Sequence, residues 1–192
     1  MATRKRNIRK LKKSILLICE RETEHRYFKD FKKYENFKFQ IIPELAKYSS
    51  YQSIFKKAKN NANLYKYVFC ILDLDQIIKQ GTVKKYEKAK KELKKEKNII
   101  FIESIPCFEI WFLYHFEDYC KLTKKCKLVN QRLESNYIPN YKKGNSVYNI
   151  LKENYEVAVK RAKRIKKINW KKRFSGFACT KVYFCLEKLI NT

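Results

Sequence analysis

Three short apolar segments, each followed closely by an acidic residue, constrain the fold of this chain more than any other feature. They lie at residues 14–20, 67–75 and 99–103 and read SILLICE, YVFCILDLD and IIFIE. Their length and β-branched content predict buried strands, and segments with helical periodicity separate them. This alternation is typical of an α/β protein with a largely parallel sheet that is flanked by helices.

Further elements are predicted around these strands. Helical patterns lie over residues 22–35, 51–64, 83–97, 106–116, 147–168 and 180–189. Alternating residues over 37–42 predict one half-exposed strand, and Ser49 or Ser50 is expected to cap the helix that follows. We therefore predict one compact unit. It has an α/β core over residues 1–118, with a basic arm over residues 1–13, and a helical C-terminal part over residues 119–192.

The charge of the chain suggests a polyanionic partner. Its formal net charge is +27, from 46 basic and 19 acidic side chains. Such an excess favours nucleic acid, because neutralised phosphates release counterions. A composition bias towards lysine is the competing explanation. The cluster over residues 160–167 is accordingly either a nucleic-acid footprint or a solvated helix face, and its candidate phosphate contacts are Lys160, Arg161, Lys163 and Arg164.

The cysteine pattern and the hydropathy bear on the compartment. Seven cysteines occur without a CxxC pair, which argues against a zinc site or a disulfide framework. Cys19 and Cys70 are expected to act as small buried hydrophobes. The apolar run after Lys13 is too short for a secretory signal or a membrane span. We therefore expect a cytoplasmic protein without a membrane partner.

The acids at the predicted strand ends form a candidate metal site. Ligands of open parallel sheets bind outside the carboxyl ends of the strands, so the three acidic strand ends are expected to meet there. They carry Glu20, the pair Asp73 and Asp75, and Glu103. The Asp-Leu-Asp alternation points both aspartates to one side of the sheet, with a spacing suited to one or two divalent ions. The alternative is that both begin a solvent-facing turn. Glu20 directly follows buried aliphatic residues, which is costly without a cation.

Five further side chains are candidates, and four of them have two interpretations each. Glu24 is a metal ligand or a first-turn acid favoured by the helix dipole. Glu109 is a buried functional acid or one polar position on an amphipathic segment. His115 is hydrogen-bonded within the fold or a ligand, and Ser104 caps a helix or contacts a phosphate. Lys142 is a further candidate phosphate contact, and the absence of a P-loop motif excludes a P-loop ATPase.

Three blocks of the sequence resemble the RloB-like family. Residues 18–28 are similar to its CEGxTE-type start, residues 72–75 to its D-x-D strand end, and residues 104–116 to its S-N-P-x-F-E-x-W-x-L-x-H-F block. Shorter matches follow at residues 141–142, 147–148 and 180–182. The resemblance therefore spans nearly the whole chain, with the blocks in the family's order.

The resemblance implies a divergent Toprim-type fold, which handles phosphodiesters in topoisomerases, primases and OLD-type nucleases. It also implies a place in bacterial restriction and abortive-infection loci, often beside an ATPase. Matched by position, the Toprim glutamate is Glu20, and the D-x-D metal acids are Asp73 and Asp75. The supporting acids of an OLD-like two-metal site are then Glu24 and Glu109.

Two positions depart from the family pattern. Arg21 stands where a small residue usually follows the first glutamate, and Gln76 stands where a third acid often follows D-x-D. Arg21 is expected to crowd the turn or to contact a phosphate. The residues and the resemblance together predict a nuclease that uses Mg²⁺ or Mn²⁺ to cleave DNA or RNA, including tRNA, as the toxic effector of an anti-phage system with an ATPase partner. The alternative is a non-catalytic nucleic-acid-binding or regulatory subunit with a weakened metal site.

Overall fold

The computed structural model describes residues 14–35, 37, 40–48 and 50–192. The predicted basic arm over residues 1–13 and the alternative cap Ser49 lie outside the described residues. The other predicted cap, Ser50, accepts a hydrogen bond at its Oγ from the backbone N–H of Ser53, at 3.3 Å.

The elements follow one another in the alternating order that the sequence predicts. The strands are β1 (Ser14–Cys19), β2 (Gln40–Leu45), β3 (Tyr67–Asp73), β4 (Ile99–Ile105) and β5 (Cys179–Thr180). The α-helices are α1 (Glu22–Tyr34), α2 (Tyr51–Asn61), α3 (Asp75–Lys79), α4 (Val83–Leu93), α5 (Ile110–Leu113), α6 (Cys126–Asn136), α7 (Tyr148–Leu151), α8 (Tyr155–Asn169) and α9 (Val182–Ile190). Two 3₁₀ helices, Lys152–Asn154 and Trp170–Ser175, lie on either side of α8.

The five strands form one sheet in the order β2-β1-β3-β4-β5. The pairs β1–β2, β1–β3 and β3–β4 are parallel, and β5 runs antiparallel to β4. This confirms the predicted α/β class with a mostly parallel sheet and a helical C-terminal part. Because β1 and β3 are parallel and adjacent, their carboxyl ends lie at the same edge of the sheet.

Helices bury both faces of the sheet. Alternate residues of β1, such as Leu17 and Leu16, belong to two separate apolar clusters on the two sides. One cluster includes side chains of α1, α8 and α9, and the other includes side chains of α2 and α4. Strands covered on both faces read as continuous apolar runs, which is why β1 and β3 were recognisable in the sequence.

The aromatic segment over residues 106–116 forms less helix than predicted. Only Ile110–Leu113 is α-helical, because β4 extends to Ile105 and the following residues form tight turns. Its predicted burial is confirmed, with Phe108, Trp111 and Phe112 at most 1% exposed.

The C-terminal part contributes a strand that the sequence analysis did not predict. Thr180 was expected to open the last helix, but it lies in β5 and pairs with Ser104. Its Oγ1 accepts a hydrogen bond from the N–H of Val182, at 3.2 Å, at the start of α9. The division into a core over 1–118 and an extension over 119–192 stays a prediction.

Cys107 and Cys126 form a disulfide bond between the turn after β4 and the start of α6. The cysteine spacing argues against a disulfide framework. Spacing alone, however, does not show which distant cysteines the fold brings together. Cys19 and Cys70 are buried free thiols, as predicted. None of the described helices combines the length and the hydropathy that crossing a membrane requires.

Candidate metal centre

Glu20 and Asp73 lie side by side at the carboxyl ends of β1 and β3. The backbone N–H of Asp73 donates a hydrogen bond to Oε2 of Glu20, at 3.0 Å. Both side chains are nearly buried, at 6% and 3% exposure. The structure thus brings together the two acids that the parallel register of β1 and β3 was expected to align.

Glu24 and Glu109 complete a cluster of four buried carboxylates. Glu24 lies in the first turn of α1 and Glu109 directly before α5, each 1% exposed. Oε1 of Glu109 accepts a hydrogen bond from Oγ1 of Thr23, at 3.2 Å, and lies 3.4 Å from Nζ of Lys143. Thr23 Oγ1 also accepts a hydrogen bond from the N–H of Gly144, which ties the loop carrying Lys143 to α1. Glu109 is therefore a buried, ion-paired acid rather than a polar position on an exposed face.

Asp75 differs from its predicted position. Strand β3 ends at Asp73, and Asp75 is the first residue of α3, where it is partly exposed. The two aspartates are therefore not alternate residues of one strand. Oδ1 of Asp75 accepts from the N–H of Gln76 at 2.8 Å, and its Oδ2 accepts from Nε2 of Gln76 at 3.2 Å. Gln76 thus donates hydrogen bonds to the carboxylate of Asp75, whereas an acid at position 76 would repel it.

The cluster raises the proton affinity of its own members. Burial raises the pKa of Glu20 to about 7, opposed by the hydrogen bond from Asp73 and increased by the charge of Asp75. Burial, followed by the charges of Glu24, Glu20 and Glu109, raises the pKa of Asp73 well above its usual range. Burial and the charge of Glu109 do the same to the pKa of Glu24. Such acids need protons or a cation to remain buried.

Three carboxylate oxygens in this cluster lack a hydrogen-bond donor anywhere in the described chain. They are Oε1 and Oε2 of Glu24 and Oδ1 of Asp73. Burying a carboxylate without a partner is costly, and oxygen ligands are those that Mg²⁺ prefers. The donor set therefore fits a hard divalent cation held by Glu20, Asp73 and Glu24.

The acids stand further apart than the ligands of one bound ion. Among the described residues, the only three ligand atoms within 4.8 Å of one another belong to Cys107, Glu109 and Cys126. The two sulfurs of that set are joined in the disulfide, so they do not offer thiolates to a metal. Ion binding at Glu20 and Asp73 therefore requires small side-chain rotations or water-mediated ligation.

An open cleft of about 360 Å³ exposes Glu20 and Asp73 to solvent. Arg21 lines it, with Nε 3.8 Å from Oε1 of Glu20. The N-terminus of α2 also lines it, through Tyr51 and Gln52. Helix N-termini carry partial positive charge and attract phosphates. The cleft thus combines buried carboxylates with groups that attract anions.

A second cleft of about 510 Å³ adjoins the first at Gln76, which lines both. Its lining includes Asp75 and four lysines, which are Lys79, Lys124, Lys125 and Lys127. These lysines are not among the predicted phosphate contacts, although three basic residues occur together over residues 124–127. The ion pair of Lys143 with Glu109 depends entirely on the fold.

Ser104 and His115 lie apart from solvent. Ser104 is 1% exposed within β4, and its Oγ lies 2.7 Å from Oγ1 of Thr180, so it does not cap a helix. His115 is 3% exposed, and its Nδ1 lies 2.9 Å from the carbonyl oxygen of Trp111. Burial lowers the pKa of His115 to about 4, so the ring is neutral. The structure favours the hydrogen-bonded interpretation of His115, and burial argues against a phosphate contact at either residue.

The predicted basic contacts after residue 140 differ in how freely they face solvent. Lys142 and Lys160 are exposed. Arg161 and Arg164 pair with Asp118, and Lys163 pairs with Glu187 at 2.6 Å. Three of the six basic residues in the cluster over residues 160–167 therefore form ion pairs within the molecule.

Glu103, the acid that follows the third apolar run, lies outside the cluster of four carboxylates. It is fully buried within β4 and accepts hydrogen bonds from Tyr86, Lys90 and Lys181. Against the effect of burial, the charges of Lys181 and Lys90 lower the pKa of Glu103. The acid that joins the cluster from this part of the chain is instead Glu109, which lies after the end of β4.

Comparison with known proteins adds one finding. No curated protein and no solved structure matches the chain. The sequence model of the RloB-like protein family matches residues 15–189, which include all four buried acids and both clefts. On this match over nearly its whole length, the chain belongs to the RloB-like family.

Proposed function

We propose that this protein is a metal-dependent phosphodiesterase that cleaves nucleic acid. The observation that carries the proposal is the group of buried carboxylates without hydrogen-bond donors beside an open cleft. A structural role does not account for them, because buried acids in stable folds are normally paired, as Glu103 is here.

Glu20, Asp73 and Glu24 would hold Mg²⁺ or Mn²⁺, with Glu109 and Asp75 around them. The bound metal would supply an activated water and neutralise charge on the phosphate. Arg21 is suited to orient a phosphate, because it lines the same cleft.

The basic second cleft supports a polymeric substrate. Its four lysines extend the positive surface away from the acids, and the net charge of +27 attracts polyanions over longer distances. Both DNA and RNA, including tRNA, have the backbone that such a surface binds, so the proposal covers both.

The test is cleavage of plasmid DNA and of total tRNA with Mg²⁺, Mn²⁺ or EDTA. The Asp73→Asn variant keeps the shape of the side chain but removes its charge, and we expect it to lose at least about 100-fold of the activity. Glu22→Gln is the matched control, because Glu22 is 70% exposed on α1. Cleavage that persists in Asp73→Asn or in EDTA would contradict the proposal.

A non-catalytic nucleic-acid-binding or regulatory subunit is the second candidate. Two contacts favour it. Gln76 donates hydrogen bonds to both oxygens of Asp75. The guanidinium of Arg21 lies beside Glu20, where it partly offsets the negative charge that a metal ion would otherwise offset. A catalytic site should show a thermal shift with Mg²⁺ that Asp73→Asn removes. A binding module should show salt-sensitive affinity for nucleic acid without that shift.

Membership of the RloB-like family supports a wider proposal. We propose that the protein acts in the cytoplasm as the toxic effector of an anti-phage system, in concert with an ATPase. Co-expression with an ATPase encoded beside it, followed by affinity purification, tests the partnership. Absence of a complex, together with unchanged nuclease activity in the presence of the ATPase, would count against it.

A further inference from the structure

The outer edge of β4 is only partly covered. β5 pairs with Ser104 and Ile105, and the N–H of Lys181 donates to the carbonyl oxygen of Glu103, at 3.1 Å. After Thr180 the chain leaves the sheet and enters α9. Within the described part of the chain, residues 99–102 therefore have no strand partner on this side.

The hydrogen-bonding ladder shows which backbone groups face outward. The N–H of Val68 donates to the carbonyl of Asn98, and the N–H of Leu74 donates to that of Ser104. Even-numbered residues of β4 therefore direct their peptide groups towards β3. The peptide groups of Phe101 point the other way, and no described residue pairs with them. Phe101 is only 6% exposed, which makes unpaired backbone groups there unfavourable.

A groove of about 570 Å³ runs along this edge. Residues 99–101 line it, together with Lys94 directly after α4 and with Phe184 and Lys188 of α9. These two helices pack on opposite faces of the sheet, so the groove occupies the position of the next strand. Phe184 is 44% exposed and supplies apolar surface there.

The groove is strongly basic. Its lining contains no acidic residue and six lysines, which are Lys90, Lys94, Lys97, Lys166, Lys181 and Lys188. Lys90 and Lys181 share one carboxylate, that of Glu103. The other four form no ion pair with a residue that the structure describes. A ligand of this groove must therefore carry negative charge.

We propose that this groove binds an acidic, extended segment of a partner protein, which adds to β4 as a further strand. A peptide offers both donors and acceptors, so it pairs with the N–H and the C=O of Phe101. A phosphodiester backbone has acceptors but no donors, so it satisfies only the N–H. The groove begins at the amino end of β4, opposite the strand ends that carry the acids, so the inference is independent of the proposed nuclease activity.

The test uses a synthetic peptide of about eight residues that alternates glutamate with valine or threonine. A second peptide of the same sequence carries methyl groups on alternate peptide nitrogens, which removes donors without changing the charge. We expect fluorescence anisotropy to show binding of the first peptide and at least about tenfold weaker binding of the second. In ¹⁵N NMR spectra, the amide of Phe101 should become more protected from exchange.

Charge-reversal variants locate the site. Lys94→Glu with Lys188→Glu should weaken binding at least about tenfold, whereas Lys84→Glu with Lys85→Glu, on α4 but outside the groove, should change it less than about twofold. Both changes are on the protein surface, and circular dichroism verifies the fold. Equal binding of both peptides, or no binding of either, would overturn the proposal. A third result would also overturn it: the peptide leaves the amide exchange of Phe101 unchanged, and an oligonucleotide displaces the peptide. The groove would then recognise charge alone.

Discussion

Glu20 makes the stability of the metal-free protein depend on pH. Its folded-state pKa of about 7 lies above the ordinary value of 4.5, so the folded state binds the proton more tightly. The resulting stabilisation is complete below pH 4.5 and is lost as the pH rises through 7. We expect the free energy of unfolding of wild type to fall across this range by up to about 3 kcal/mol more than that of Glu20→Gln. Urea titrations in EDTA between these limits measure the difference, and parallel curves would contradict the assignment.

Asp73 is expected to destabilise the protein until a cation binds. Its pKa is raised by burial and by the charges of Glu24 and Glu20, so the ionised side chain is unfavourable. At pH 8 in EDTA, Asp73→Asn should therefore raise the free energy of unfolding. Added Mg²⁺ should stabilise wild type but not the variant. Glu153→Gln, at an exposed position, should change neither value. A Mg²⁺ shift that survives in Asp73→Asn would exclude this aspartate as a ligand.

At the scale of elements, Glu103 joins β4 to the helices on both of its sides. It pairs with Lys90 of α4 and with Lys181 directly before α9. Glu103→Ala leaves two largely buried ammonium groups without their carboxylate, and we expect it to cost about 3–5 kcal/mol. Glu87→Ala removes the other acid near Lys90, but Glu87 is 40% exposed, so we expect a loss below about 1 kcal/mol. Chemical denaturation measures the free energy of unfolding of both variants. Equal losses would show that burial of the ion pair does not determine its contribution.

The elements differ in how well local sequence predicts them. β1 and β3 are predictable because their residues are apolar throughout. β5 has two residues and exists only because Thr180 and Cys179 lie against β4. Local periodicity does not detect a strand that short. The helix predicted over residues 106–116 was overestimated for a related reason, because aromatic content indicates burial but not backbone conformation.

At the scale of the whole molecule, the second cleft should account for part of the affinity for nucleic acid. Replacing Lys124, Lys125 and Lys127 by alanine removes three exposed charges from its lining. We expect the slope of log K against log salt for duplex DNA to become shallower by about 2–3.

A control variant with alanine at Lys84, Lys88 and Lys91 has the same change in net charge on the exposed side of α4. If both triple variants shift the slope equally, the total charge rather than this cleft determines binding. Fluorescence anisotropy over a series of salt concentrations distinguishes these outcomes.

The sequence by itself determined the α/β class, the mostly parallel sheet and the acids at the ends of β1 and β3. These follow from local rules, because strands buried on both faces must be apolar throughout and parallel neighbours end at the same edge. Only the tertiary structure decided that Glu103 does not join Glu20 and Asp73. Glu103 follows its apolar run as closely as Glu20 does, yet β4 continues past it and its carboxylate meets two lysines.

The tertiary structure also decided which basic residues remain free. Among 46 basic side chains, local sequence does not distinguish Lys163, which pairs with Glu187, from lysines that line an open groove. Ion pairing and burial depend on residues far apart in the chain. The physical reason is that secondary structure follows from the periodicity of neighbouring residues, whereas a site depends on three-dimensional distances between side chains from different elements.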